Sequence, residues 1–162
     1  MTPNELLLQA IQLAIDAHGM QLDKAGKLYV LHPLHVMNSV DSIDAKIVAV
    51  LHDVIEDTQA DIGTDRACIV HRGGTYLFPA HIIEALDAIT KREGEKKEEY
   101  WTRVAKNILA TSVKFKDMEH NSSEERLREL DPEEAEYLRR KYKRAEAFIA
   151  KQFSYNFTSD VQ

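Results

Sequence analysis

Between Ile47 and Ile55 the chain reads IVAVLHDVI, a run with an apolar side chain in almost every direction. An element apolar all round belongs in the interior, so the other elements must be arranged around it. Two polar pairs interrupt it or follow it, His52-Asp53 and Glu56-Asp57. Carboxylates and an imidazole in such a place are costly unless they are paired or bind a metal. The length of the stretch, with Ala45, Lys46 and Ala49 in its first turns, predicts a helix over about 44 to 57 rather than a strand. Asp41 or Ser42 is its expected cap.

Around that element the pattern is mostly helical. Asn4 can cap a first helix carrying Leu7, Ile11, Leu13, Ala14 and Ala17 at helical spacing, which ends at Gly19 or the residues that follow it. A connector turns at Lys24-Ala25-Gly26-Lys27, and Pro33 starts a second helix. Residues 67 to 78 differ: ACIV, then HRGG, then TYLF reads as a β-hairpin that must pack on the helices to persist. Pro79 opens a helix with Ile82, Ile83, Leu86 and Ile89 on one side. A charged break over 91 to 99 precedes a long helical pattern from Tyr100 to about Asn121. Asp131-Pro132 begins a last helix that runs to about Phe153. The expected fold class is therefore all-α with one short hairpin. It forms a single domain over residues 1–153, followed by a frayed tail over 154–162.

Charge and composition exclude several classes. The formal net charge is -6, so general attraction to nucleic acid or to an anionic membrane surface is not expected. No apolar run approaches the roughly 18 residues of a membrane span. The single Cys68 cannot form an internal disulfide, and no signal peptide is evident, which points to a reducing cytoplasm. An anionic substrate would need a local cationic site or a metal to offset the overall field.

On a helix His52 and Asp53 lie about 100° apart and can reach one point beside the axis. One imidazole and one carboxylate make half a metal site. His32, beside Pro33, and Asp117, late in an otherwise apolar helix, can complete it. Alone, His32 would read as a capping or core histidine and Asp117 as a surface aspartate between lysines. Together with His52 and Asp53 they form a set of two imidazoles and two carboxylates, which suits Mn²⁺, Fe²⁺ or Zn²⁺. Glu56 and Asp57 follow one turn along, where a general acid or base belongs. His120, one turn from Asp117, is placed to orient that carboxylate. Lys24, with Lys91, Arg92 and Arg103 behind it, is a candidate clamp for phosphate.

The ordered set Tyr29-x-x-His32-Pro33, His52-Asp53-x-x-Glu56-Asp57 and Asp117-x-x-His120-Asn121 resembles the hydrolase domain of the RelA/SpoT-type alarmone enzymes, of the HD superfamily of metal-dependent phosphohydrolases. The stretch from Ala17 to Gly26 and Leu86-Asp-Ala-Ile-Thr90-Lys91 are similar to that family too, so the likeness covers about residues 10 to 121. It implies an HD-type helical bundle with His32, His52, Asp53 and Asp117 as metal ligands, manganese being the usual ion. It implies that Glu56 and Asp57 assist the attacking water and the leaving group, and that Lys24 faces the nucleotide and Asn121 its sugar or base. Tyr29 is a candidate for stacking on a purine. The implied reaction removes pyrophosphate from the ribose 3′-oxygen of guanosine 3′,5′-bis(diphosphate) or its pentaphosphate, leaving GDP or GTP. A phosphatase acting on another phosphorylated nucleotide, or a nucleotide sensor without turnover, stand as alternatives. The oligomeric state is open, and the hairpin stands where the family leads one to expect a loop and a short helix.

Overall fold

The computed structural model describes residues 1–64 and 67–158. Helix α1 covers Pro3–His18. Its cap is Thr2 rather than Asn4: the Thr2 hydroxyl accepts from Glu5 N–H, the Glu5 carboxylate accepts from Thr2 N–H, and proline occupies the first turn. That reciprocal pair satisfies two amide donors that the helix itself cannot. The helix stops at Gly19, whose φ of 51° with ψ of -119° is a backbone region that a Cβ disfavours. Helix α2, Leu31–Asn38, begins two residues before Pro33. Proline is accommodated there because amides in a first turn have no intrahelical partner.

Helix α3 spans Ile43–Leu51 from a Ser42 cap and is the central element; Ile47, Val48, Ala49, Val50 and Leu51 are all buried. It packs on α1 and α2, and on the later helices over Ala80–Ile89 and Ile108–Asn121. The expected single helix over 44 to 57 is broken at its polar pair, and a short helix α4, Val54–Asp57, resumes after it. Asp53 sits at φ -102°, ψ -7°, at the edge of the helical region, while the His52 ring bonds the Ala49 carbonyl at 2.7 Å. That carbonyl is the one Asp53 N–H would take in an unbroken helix, so the imidazole competes with the ladder at the break.

The hairpin forms as expected, from β2 (Cys68–His71) and β3 (Gly74–Leu77), with β1 (Asp61–Ile62) added along the outer edge of β2. Pairing is antiparallel, with Ile69 opposite Tyr76 and His71 opposite Gly74. The two-residue turn Arg72-Gly73 has positive φ at both positions, the twist that suits tight hairpins. Ile69 and Phe78 bury in the helical core, and Gln9 on α1 donates to the Leu77 carbonyl at 3.0 Å.

Helices α5 (Ala80–Ile89), α6 (Lys97–Val104), α7 (Ile108–Asn121), α8 (Glu124–Leu127) and α9 (Pro132–Thr158) complete the chain. The pattern expected as one helix from Tyr100 to Asn121 divides because Asn107 turns its side chain back to cap Ala110 N–H, restarting the helix. Helix α9 continues through Thr158, five residues beyond its expected end at Phe153, and Asn156 donates to the Ala105 carbonyl at 3.1 Å. The expected tail is thus helical as far as Thr158, and residues 159–162 lie outside the described residues. Fully buried Leu13, Ile47, Leu51, Ile82, Ile83 and Leu86 anchor the core, each contributing about 1.5–3 kcal/mol by removal from water. Among the described residues no helix is long and apolar enough to cross a membrane.

Candidate metal centre

Three separate segments converge beside the broken end of α3. His32 projects from the first turn of α2, His52 and Asp53 form the α3–α4 joint, and Asp117 comes from α7. The His32 Nε2 atom lies 3.0 Å from Asp117 Oδ1 and 3.6 Å from Asp53 Oδ2. His52 Nε2 lies 3.0 Å from Asp53 Oδ2 and 3.5 Å from Asp117 Oδ1. His32, His52 and Asp53 by themselves bring one ligand atom each within 4.8 Å of the others. Atoms bound to one cation at about 2.1 Å stand roughly 3.0–3.4 Å from their neighbours; two of the four contacts fall in that range and the other two are slightly longer, so the spacings are close to those of a shared ligand shell.

Each donor is held from behind. The His52 Nδ1–H donates to the Ala49 carbonyl, which leaves the Nε2 lone pair turned toward two carboxylates. His52 Nε2 is buried and forms no hydrogen bond, although Asp53 Oδ2 and Asp117 Oδ1 lie 3.0 and 3.5 Å away. A lone pair facing anionic oxygens in a buried site calls for a cation between them, either a proton or a metal. The donor set of two imidazole nitrogens and two carboxylate oxygens therefore fits a divalent ion of borderline to hard character. Asp53 accepts from the Tyr29 hydroxyl at 2.6 Å. Asp117 accepts from Asn121 on Oδ1 and from Lys114 on Oδ2, the latter at 2.8 Å. His120 does not reach Asp117 as expected; its Nδ1 lies 2.7 Å from His32 Nδ1.

The electrostatics follow from this crowding. Burial disfavours charge on every group, but the His52 ring outweighs it at Asp53 and holds that carboxyl at about 2. At Asp117, burial is overcome by Lys114 and then by the two histidines, leaving the carboxyl well below its ordinary range. Against the same burial, the two aspartates push His52 well above its usual value, and Asp117 does the same for Lys114. His120 moves the other way: burial, then His32 and His35, depress it to about 3, so it is neutral. Glu56 and Asp57, on α4, are raised, first by burial of their inner sides and then by charges that include Asp53. Both keep their outer sides in solvent, and Glu56 Oε2 accepts from Lys91 N–H at 3.0 Å.

A cleft of about 520 Å³ opens beside the centre and is lined by Lys24, Tyr29, His120, Asn121, Lys141 and Tyr142, among others. Lys24 pairs with Glu134 and Lys27 with Glu129, tying the α1–α2 connector to the segment around the start of α9. The Tyr29 ring packs against His18 and His32, with centres 5.0 and 5.8 Å away. Glu56 borders a separate, more open hollow with Lys91 and Arg92. Arg103 does not face either opening: its guanidinium donates at 2.9 Å to the Ala88 and Thr90 carbonyls and also binds Glu95, closing the end of α5. Lys114 escapes a reading by motif alone, its only signal being a lone lysine one turn before Asp117, whereas Tyr142 and the basic residues beside it on the last helix are sequence candidates for closing the site, and Tyr142 and Lys141 do line the cleft.

No family model matches the chain. Sequence relatives do. A guanosine-3′,5′-bis(diphosphate) 3′-pyrophosphohydrolase of Aquifex aeolicus is 32% identical over 114 residues, which is 67% of this chain and 15% of that protein. A GTP pyrophosphokinase of Myxococcus xanthus is 29% identical over 135 residues, 72% of this chain and 17% of the relative. The bifunctional (p)ppGpp synthase/hydrolase SpoT of Escherichia coli is 28% identical over 130 residues, 71% of this chain and 17% of the relative. The chain thus matches about a sixth of the length of these curated relatives. Among solved structures, one described as a metazoan ortholog of SpoT that hydrolyses ppGpp shares the fold end to end. Its TM-score is 0.59 at 18% identity, covering 99% of this chain and 98% of that one. The sequence relatives are alarmone enzymes of the class that the ordered motifs resemble, and the solved structure shares the fold.

Proposed function

We propose that this chain is a metal-dependent phosphohydrolase that removes the 3′-pyrophosphate from guanosine 3′,5′-bis(diphosphate) or its pentaphosphate, giving GDP or GTP and pyrophosphate. The observation that carries the proposal is the convergence of His32, His52, Asp53 and Asp117 beside a cleft lined with cationic and aromatic side chains. The names of the sequence relatives supply the substrate class. Manganese is the proposed ion, with Fe²⁺ or Zn²⁺ as chemically similar occupants of the same donor set. The proposed setting is the cytoplasm.

A divalent cation held by these four residues would supply Lewis acidity toward water and toward a phosphoryl oxygen. The chain's own groups do the rest. Water attacks the phosphorus attached to the ribose 3′-oxygen, the P–O bond to that oxygen breaks, and the oxygen takes a proton. Glu56 and Asp57 stand next to the centre with raised proton affinity, which suits a pair that accepts a proton from the attacking water and returns one to the leaving oxygen. Lys24, Lys27 and Lys141 offer positive charge along the cleft for the phosphates, in a chain whose net charge would otherwise repel them. Asn121 lies between centre and cleft, where it can reach the sugar, while Tyr29 and Tyr142 offer aromatic surface.

The test is a panel of phosphorylated nucleotides incubated with the purified protein and Mn²⁺, with products separated by chromatography. Pyrophosphate and GDP released in equal amounts from the tetraphosphate are expected. Orthophosphate from other nucleotides, with the tetraphosphate untouched, would replace the reading with a different phosphatase.

A further inference from the structure

We propose that His120 is a positioning residue: it is the acceptor that holds His32 with its proton on Nδ1, leaving Nε2 free for the cation. The inference rests on the metal reading above. It starts from an unusual contact, a 2.7 Å separation between the Nδ1 atoms of two imidazoles. The two rings are 8° from parallel with centres 5.0 Å apart. A ring nitrogen lies about 1.2 Å from its ring centre by ordinary covalent geometry. Two such radii plus the nitrogen separation account for the whole distance between centres, so the rings meet end to end rather than face to face. That is the geometry of a straight N–H···N hydrogen bond, with one nitrogen donating and the other accepting.

Two arrangements satisfy it. If His120 donates, His32 must carry its proton on Nε2, which then points at Asp117 and leaves no lone pair for a cation. If His32 donates, its Nε2 lone pair faces the centre and His120 carries its own proton on Nε2. Only the second arrangement is compatible with His32 as a ligand, so His120 must be present as a neutral acceptor at Nδ1. The His120 ring has little freedom to turn away. The His35 ring, one turn along α2 from His32, stacks on it with centres 3.8 Å apart and a 13° tilt. Asp117 is turned to other partners: its oxygens accept from Asn121 and Lys114 and face the Nε2 atoms of His32 and His52. His32 is 3% exposed, so water cannot readily replace the missing acceptor. Partners behind a ligating histidine commonly set its tautomer and raise its basicity.

Two measurements test the assignment. In the Zn²⁺-loaded, ¹⁵N-labelled protein, long-range ¹H–¹⁵N spectra should show His32 protonated at Nδ1 and His120 protonated at Nε2; a His120 proton on Nδ1 overturns the proposal. Mn²⁺ affinity, read by electron paramagnetic resonance, should fall about 10- to 100-fold in His120→Leu, which removes the acceptor. It should stay close to wild type in His120→Asn, whose side-chain oxygen can accept from the same direction. His120→Leu binding Mn²⁺ as tightly as wild type would overturn this inference while leaving the metal centre standing. A wild-type protein that takes up neither Mn²⁺ nor Zn²⁺ would instead overturn the centre and this role with it.

Discussion

The floor of the site and the rim of its cleft use the same chemistry under opposite conditions. On the floor, Lys114 pairs with Asp117 with side chains only 17% and 4% exposed. On the rim, Lys24 pairs with Glu134 with side chains 67% and 37% exposed. Both are lysine–carboxylate contacts, yet their energetic meaning differs. A rim pair is screened by water and salt and contributes about 0–1 kcal/mol. A buried pair gains little over an apolar substitute, but removing one partner strands a charge and costs about 3–5 kcal/mol. The floor is therefore a fixed frame suited to holding a cation, whereas the rim pairs can exchange their carboxylates for a ligand's phosphates at small cost.

The largest expected effect is on the floor. His52→Ala should abolish Mn²⁺ binding and lower the rate by a thousandfold or so, the several kcal/mol that Lewis acidity supplies, as read by metal content and turnover together. Next, Glu56→Ala should keep the metal and lose about 10²–10⁴ in rate, because Glu56 stands beside the donor set without belonging to it. Full activity in that variant would remove the acid–base role and leave Glu56 as a simple partner of Lys91 N–H.

Lys114→Met should destabilise the chelator-treated protein by about 3 kcal/mol in urea. Lys24→Met, in parallel, should change stability by less than about 1 kcal/mol and act mainly on the KM for nucleotide. Equal losses in the two variants would erase the distinction between floor and rim.

Acid separates them as well. The Asp53 carboxyl is lowered from 3.8 to about 2, so its stabilisation is present above about pH 4 and is lost as pH falls through 2. Asp117 acts in the same direction. His52, raised in the metal-free protein, contributes in full below about pH 6.5 and less as pH rises through its folded value. Thermal unfolding in chelator should therefore show maximal stability between these limits. A midpoint that does not move between pH 4 and pH 2 would mean that the floor carboxylates are not paired as the structure shows. The smallest effect is expected at Glu56→Gln: its raised proton affinity means ionisation is mildly unfavourable in the folded state, so the neutral variant should unfold slightly later at neutral pH.

Much of this architecture was legible in one dimension. The apolar run around His52-Asp53 led to a buried central helix, and α3 is that helix. The HRGG turn between β-branched stretches led to the hairpin, which forms with its turn at Arg72-Gly73. The four residues singled out as ligands by motif order do meet in space. What misled was continuity. Helical periodicity runs straight through His52 and through Asn107, yet the helix breaks at both, because a side chain there competes for a backbone partner. The same blindness to partners assigned His120 to Asp117 and Arg103 to phosphate, when geometry gives His120 to His32 and Arg103 to the carbonyls ending α5.

Residue type and spacing alone determined which groups could do chemistry and which stretches had to be inside, because hydrophobic period and donor identity are properties of the chain. Only the tertiary structure decided how those groups are used. Orientation of an imidazole, the exposure of a lysine and the partner of a carboxylate depend on contacts between segments as far apart as His32 and His120. Proton affinity and pairing energy are set by the local surroundings of a charge, and those surroundings exist only once the helices have packed.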